Sequence, residues 1–185
     1  MPQLASVPLP AASRFLAYVL RHRPDTIDIT LDESGWVEVD VLLEALARHG
    51  RPVSRQMLVE LIAGTDKRRF EPHAGRIRAA QGHSVGVDLR LEPVTPPWLL
   101  YHGTVARHLP GIRAEGLRPR GRTHVPLSAD RRTAVTVGAR RGVPVVLTVD
   151  AAGMYRHGFV FYRADNGVWL TDHVPPGWIT GGGSA

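Results

Sequence analysis

The residues able to do chemistry in this chain are mostly arginines and histidines, and they fall in short, separated segments. Leu20-Arg21-His22-Arg23-Pro24 closes what reads as an amphipathic helix. Cations there either complete the helix, whose C-terminal dipole favours them by about 0.3–1 kcal/mol, or hold an anion. Asp66-Lys67-Arg68-Arg69-Phe70 sets three consecutive bases before an aromatic, as a solvated turn or a phosphate clamp. Gln81-Gly82-His83-Ser84 places a histidine beside a glycine that permits a bend. Tyr101-His102-Gly103-Thr104 lies at a predicted strand end, where the glycine lets backbone N–H and C=O reach a flat ligand such as a carboxamide. Arg120-Gly121-Arg122-Thr123-His124-Val125-Pro126-Leu127-Ser128 reads as a basic loop entering a strand. Taken singly, each segment also has a plain structural explanation.

Composition narrows the chemistry. The chain has no cysteine, which removes disulfides, thiolate nucleophiles and cysteine-based zinc sites together. Its nine histidines show no HExxH or similar spacing, so no metal is expected. No GxGxxG follows a predicted strand, so a Rossmann mode of dinucleotide binding is not suggested. No apolar run reaches the roughly eighteen residues of a membrane span. Residues 1–13 lack the basic region of a signal peptide. A cytoplasmic monomer is the expectation. The formal charge of +6 is uneven: residues 1–94 carry 12 bases and 12 acids, residues 95–185 carry 11 and 5. That excess suits an anionic partner, although 22 of the 23 bases are arginine, which genomic base composition alone would also produce.

Two lobes must position these segments. Residues 1–12 read as a flexible arm. Residues 13–92 read as three short helices and a hairpin. Ser13 would cap the first helix, Asp40 the second and Ser54 the third, with Gly50 at the C′ position of the second. A short strand is expected near Ile29–Leu31, another at Trp36-Val37, and a hairpin from Arg69-Phe70 and Ile77–Ala80. That is a winged-helix-like pattern. The proline-rich Glu92–Pro97 is the expected linker. Residues 98–180 read as β-rich, with strands at Trp98–His102, Val125–Ser128 and Val145–Val149. A short helix is expected over Ala106–Glu115, ended by Gly116. Another is capped by Asp130 and runs through Arg141. A hairpin from Phe159–Arg163 to Val168–Thr171 is expected around Asp165-Asn166-Gly167. The final ITGGGSA reads as a flexible tail. The fold class expected is α+β in two lobes.

The order of the segments is more telling than any one of them. LRHRP, GWVEVDVLL, DKRRF, QGHS, YHGT, IRAEGL, RTHV-P-LS and NGVWLT follow one another, and together they closely resemble the RNA (tRNA) 2′-phosphotransferase family across about residues 13–179. The resemblance implies an N-terminal winged-helix-like RNA lobe and a C-terminal, ADP-ribosyltransferase-like β-rich lobe that binds NAD. It implies a catalytic set of Arg21, His22, Arg69 and Arg122, converging on the RNA 2′-phosphate. His102, Gly103, Thr104, Gly111, Ile112, His124 and Ser128 would line the NAD site, with His102 on a ribose hydroxyl and the Gly103 backbone on the nicotinamide amide. The resemblance further implies NAD as a co-substrate, no metal, and a tRNA-like RNA partner, as in tRNA splicing.

The implied reaction removes an internal 2′-phosphate through an RNA-2′-phospho-ADP-ribose intermediate. Its products are 2′-OH RNA, nicotinamide and ADP-ribose 1″,2″-cyclic phosphate. One departure stands out. The family usually reads H-V-H-L-S where this chain has His124-Val125-Pro126-Leu127-Ser128, so Pro126 replaces a histidine and removes a backbone donor. Arg14, where lysine is common, is a smaller one. The alternative reading is an ADP-ribosyltransferase that caps nucleic-acid phosphates or modifies a protein without the second step. A non-enzymatic winged-helix protein sensing NAD or RNA is a third.

Overall fold

The computed structural model describes residues 8–64 and 68–182. The chain divides into two compact units, residues 1–90 and 91–185. Both combine short helices with small antiparallel sheets, the α+β class. No helix among the described residues is long and apolar enough to cross a membrane.

The first unit runs α1 (Leu9–Arg21), a 3-10 turn (Pro24–Ile27), β1 (Val37–Glu38), α2 (Val39–Arg48), α3 (Arg55–Ala63), β2 (Phe70–His73) and β3 (Arg76–Ala79). Leu16, Val19 and Leu20 recur at helical spacing on α1 and are buried against Leu42, Leu46, Leu58, Phe70 and Ile77. The sheet order is β1-β3-β2, with Val37 opposite Ile77 and Phe70 opposite Ala79. Strand alternation therefore sends Val37, Ile77, Ala79 and Phe70 into the core. Trp36, Arg76, Arg78, Glu71 and His73 take the other face.

Three sequence expectations are corrected here. Helix α1 begins at Leu9 with Pro8 at its N-cap, so Ser13 is a buried mid-helix residue rather than a cap. Proline just before or inside a helix start is well tolerated, because the first N–H groups have no intrahelical partner. The second helix starts at Val39 with Glu38 at its N-cap, and Asp40 lies in the first turn. No strand forms at Ile29–Leu31. Asp28 adopts φ 54°, the Ile29 N–H returns to the Pro24 carbonyl at 3.2 Å, and both edges of β3 are already taken by β1 and β2. Ser54 does cap α3, accepting from the Met57 N–H at 3.1 Å. Of the DKRRF segment, Asp66 and Lys67 lie outside the described residues, as do residues 1–7 of the expected arm.

The second unit runs β4 (Leu99–Val105), a 3-10 turn (Ala106–His108), α4 (Leu109–Glu115), β5 (Val125–Leu127) and α5 (Arg131–Gly138). A 3-10 turn (Ala139–Arg141), β6 (Pro144–Asp150), α6 (Ala151–Arg156), β7 (Tyr162–Arg163), β8 (Trp169–Thr171) and β9 (Ile179–Gly181) follow. One sheet has the order β4-β6-β9 and the other β5-β8-β7. Tyr101 and Ser128 join them by a pair of backbone hydrogen bonds of 2.9 and 2.8 Å. Asp130 caps α5 by accepting from the Thr133 N–H at 2.7 Å. The turn at Asp165–Gly167 joins β7 to β8, with Gly167 at φ 79°. Helix α6 and strand β9 have no counterpart in the sequence reading. Ile179-Thr180-Gly181 of the expected tail pairs with β6, and residues 183–185 lie outside the described residues.

Candidate functional sites

In the first unit, three separated segments meet along α1, two of them at its C-terminal end. His22 is the helix C-cap, and its Nδ1 hydrogen bonds with the Ser84 hydroxyl at 2.8 Å. The Ser84 N–H donates to the Arg21 carbonyl at 2.9 Å. The QGHS segment thus satisfies a helix end that would otherwise leave bare carbonyls. Gly82, at φ +88°, makes the turn that brings it there. A side chain at Gly82 would lie 3.9 Å from the Arg21 guanidinium, so glycine is required by the backbone rather than by space. Arg69 enters from the hairpin. Its carbonyl accepts from the Ala80 N–H at 2.9 Å, and its Nη1 donates to the Ser13 hydroxyl at 3.0 Å. Ser13, Ala17 and Arg21 lie four residues apart, on one face of α1. Ser13 therefore ties Arg69 to the face that ends in Arg21.

His83 sits behind these residues with no exposed surface, and neither ring nitrogen finds a hydrogen-bond partner among the described residues. Burial, followed by the positive charges of Arg21, Arg78 and His22, pushes its pKa down to about 4. It is neutral at physiological pH.

The second unit carries a cavity of about 270 Å³. His102 and Thr104 from one face of β4 meet Ile112 of α4, its C-cap Gly116, Pro126 of β5, and Arg118, Arg120, Arg122 and Arg141 there. No acidic residue lines it, and none of the four arginines makes a salt bridge among the described residues. The position of each arginine has a local cause. Arg120 and Gly121 both take positive φ, 48° and 78°, which turns the loop before Arg122. Gly111 leaves room for the Arg120 guanidinium, 3.2 Å from where a Cβ would be. Arg141 ends the 3-10 turn after α5, and α5 lies hard against β4. A Cβ on Gly103 would fall 1.8 Å from the Ala134 carbonyl oxygen. Burial, then Arg141, lowers the Arg122 pKa, which leaves an arginine fully charged.

His102 has a defined hydrogen-bonding state. Burial lowers its pKa, the Pro126 carbonyl opposes that, and the nearby Arg141, Arg122 and His108 lower it further. A neutral imidazole facing a carbonyl must carry its proton on that nitrogen. Nδ1–H therefore donates to the Pro126 oxygen at 3.1 Å, leaving Nε2 as an acceptor. Backbone alternation also fixes the neighbouring edge. Tyr101 directs its N–H and C=O to Ser128, so Gly103, two residues on, directs its own to the same edge, where no ladder partner follows among the described residues.

The same alternation settles Pro126. Ser128 faces β4, so Pro126 does too, and its missing N–H is absent from that edge rather than from the β5–β8 ladder. Its carbonyl is the group that orients His102.

Of the residues expected from sequence, His102, Thr104, Ile112 and Arg122 line this cavity, and Arg21 and His22 adjoin in the first unit. Gly103 packs against α5, Gly111 against Arg120, and Ser128 pairs with Tyr101. His124 lies outside the lining residues. It hydrogen bonds with the Thr123 hydroxyl at 3.1 Å and lies 3.7 Å from Asp172. Sequence reasoning missed His108, Arg118 and Arg141 as cavity residues. For Arg141 a signal was present: the Asp130-capped helix was expected to run to it.

Arginine dominates both environments, a side chain whose planar fork suits phosphate oxygens. The comparisons specify the family. The model of the RNA 2′-phosphotransferase, Tpt1/KptA family matches residues 9–173. Proteins named probable RNA 2′-phosphotransferase are similar throughout. The one from Streptomyces coelicolor is 60% identical over 167 residues, covering 90% of this chain and 92% of its own. Its counterpart from Streptomyces griseus is 56% identical over 176 residues, with 90% and 93% covered. The one from Agrobacterium fabrum is 53% identical over 172 residues, with 92% of each chain covered. The chain belongs to the Tpt1/KptA RNA 2′-phosphotransferase family.

Proposed function

We propose that the protein is an NAD-dependent RNA 2′-phosphotransferase. The first unit is read as the winged-helix-like RNA lobe and the second as the ADP-ribosyltransferase-like lobe. The observation that carries the NAD half is the cavity of the second unit: four arginines with no carboxylate, beside a neutral His102 whose Nε2 accepts. A dinucleotide diphosphate suits the guanidinium forks. A ribose hydroxyl suits Nε2, and a carboxamide suits the edge-facing N–H and C=O of Gly103.

In the first step an oxygen of the RNA 2′-phosphate attacks C1″ of the nicotinamide ribose. The C–N glycosidic bond breaks and nicotinamide departs with the bonding pair as a neutral base. Alignment and charge stabilisation suffice. In the second step the ribose 2″-hydroxyl attacks phosphorus and the bond to the RNA 2′-oxygen breaks. That oxygen takes up a proton, and ADP-ribose 1″,2″-cyclic phosphate leaves. Arg21, His22 and Arg69 supply phosphate contacts in the first unit, Arg122 in the second. In this reading His22 donates the proton, and its hydrogen bond with Ser84 supports the role by steadying the ring.

The test is incubation with NAD and an oligoribonucleotide carrying one internal 2′-phosphate, followed by mass spectrometry. Expected products are 2′-OH RNA, nicotinamide and ADP-ribose 1″,2″-cyclic phosphate. Arg69→Ala should accumulate ADP-ribosylated RNA. Full turnover by that variant would remove Arg69 from the assignment. Wild-type protein that stops at the ADP-ribosylated RNA would establish the capping transferase instead, and absence of nicotinamide release would leave a binding protein.

A further inference from the structure

The outer face of the first unit's sheet has no part in the reaction above, yet it forms the larger of the two cavities described, an open groove of about 590 Å³. Asp32, Glu33, Trp36, His73, Arg76, Arg78 and Arg90 face it, with Ser34 and Leu89. Its floor is fixed. The Arg78 guanidinium donates to Glu71 at 2.7 Å and to the carbonyls of Ser34 and Leu89 at 3.2 and 3.1 Å. It then lies under the Trp36 ring, 4.5 Å from its centroid. The turn that carries Trp36 is equally fixed, because Asp32 accepts from the N–H groups of Ser34 and Trp36 at 2.9 Å. Arg76 also lies over the ring, 5.5 Å from its centroid, so the ring on its Arg78 support becomes a stacking platform when Arg76 moves aside to an incoming phosphate.

The rim has the opposite character. Arg76 and Arg90 reach Asp32 and Glu33 at only 3.3 and 3.4 Å, and the Arg90–Glu33 pair is exposed at 70% and 90%. Such pairs hold their charges weakly. His73 completes the rim, its ring 5.9 Å from that of Trp36. A flat ring to stack on, two displaceable guanidinium groups, and carboxylates that accept from ribose hydroxyls or base amino groups match one kind of ligand. That ligand is an unpaired ribonucleotide within a strand. The groove floor and the C-terminal end of α1 act on one buried residue. Buried His83 feels Arg78, the groove floor, as well as Arg21 and His22.

We propose that this groove is a second RNA contact, in which a base away from the 2′-phosphate stacks on Trp36 and its backbone phosphate engages Arg76 and Arg90 together. The proposal rests on the RNA reading above. It makes the protein a reader of single-stranded RNA beyond the modified nucleotide, with little base preference, since every base has a stacking face.

The test uses the full chain in two assays. Fluorescence anisotropy measures binding of a labelled ten-nucleotide RNA without 2′-phosphate and needs no catalysis. Steady-state turnover compares a three-nucleotide with a ten-nucleotide 2′-phosphorylated substrate. Trp36→Leu should weaken binding of the unphosphorylated RNA by about tenfold, the usual scale of one stacking contact. Arg90→Ala, at an exposed position outside the core, should weaken it about threefold and flatten its salt dependence. In turnover both changes should raise KM for the long substrate while its kcat holds. Arg48→Ala, an exposed base on α2, serves as control. Equal KM values for short and long substrate in the wild type, or unaltered RNA binding by Arg90→Ala, would overturn the proposal. RNA binding that depends on Arg90 without any turnover would sustain the groove and sink the enzymatic reading instead.

Discussion

The two cavities use the same side chain in opposite electrical settings. In the first unit's groove, Arg76, Arg78 and Arg90 each face a carboxylate. In the second unit's cavity, Arg118, Arg120, Arg122 and Arg141 face none among the described residues. A paired arginine must give up its carboxylate to take a ligand; unpaired arginines crowded together gain more from an anion, which relieves their mutual repulsion. Two histidines differ in parallel. Part-buried His102 has the Pro126 carbonyl, which fixes its tautomer, whereas buried His83 has no partner among the described residues. The difference separates guanidinium groups that already hold a carboxylate from those that hold none, and it can be broken at both ends.

The largest effect is expected where pairing is structural. Arg78→Ala takes donors from the buried Glu71 carboxylate and from two carbonyls, so it should cost about 3–5 kcal/mol of stability in urea unfolding. A loss below about 1 kcal/mol would show that Arg78 only decorates the groove.

Next comes His83. Its folded pKa of about 4 lies below the ordinary 6.5, so below pH 6.5 the unfolded chain takes up a proton that the folded chain does not. Stability is therefore fully present above pH 6.5 and falls as the pH drops towards 4, by up to roughly 3 kcal/mol. Urea unfolding at pH 7, 5.5 and 4.5 should trace this fall, and His83→Gln should flatten it. An identical slope in the variant would mean that other groups set the acid sensitivity.

Smaller in energy is the loss of one unpaired guanidinium. Arg141→Ala should weaken NAD binding between ten- and a hundredfold by calorimetry, the scale of one charge-assisted hydrogen bond. Arg90→Ala should leave NAD affinity as it is. Equal effects from the two would erase the contrast between the cavities.

The smallest effect is expected at Pro126. Its carbonyl, which any residue supplies, is what His102 uses, so Pro126→Ala should change the NAD dissociation constant by less than about threefold. A larger change would mean that the ring itself shapes the site.

The sequence by itself determined the family, the α+β class and most element positions. Periodicity, the caps at Ser54 and Asp130 and the turn at Asp165–Gly167 are local signals, and local signals survive in one dimension. It also singled out Arg21, His22, Arg69, His102 and Arg122 by residue type and order. It misplaced the start of α1 because Ser13 looked like a cap, while its hydroxyl serves Arg69, fifty-six positions away. Only the tertiary structure decided which arginines are neutralised, since that depends on carboxylates brought close by strand register and turns. It alone decided that Pro126 is harmless to its ladder, because which edge a backbone group faces follows from pairing. It alone decided that Gly103 must be glycine, because a helix far along the chain passes within 1.8 Å of where its side chain would begin.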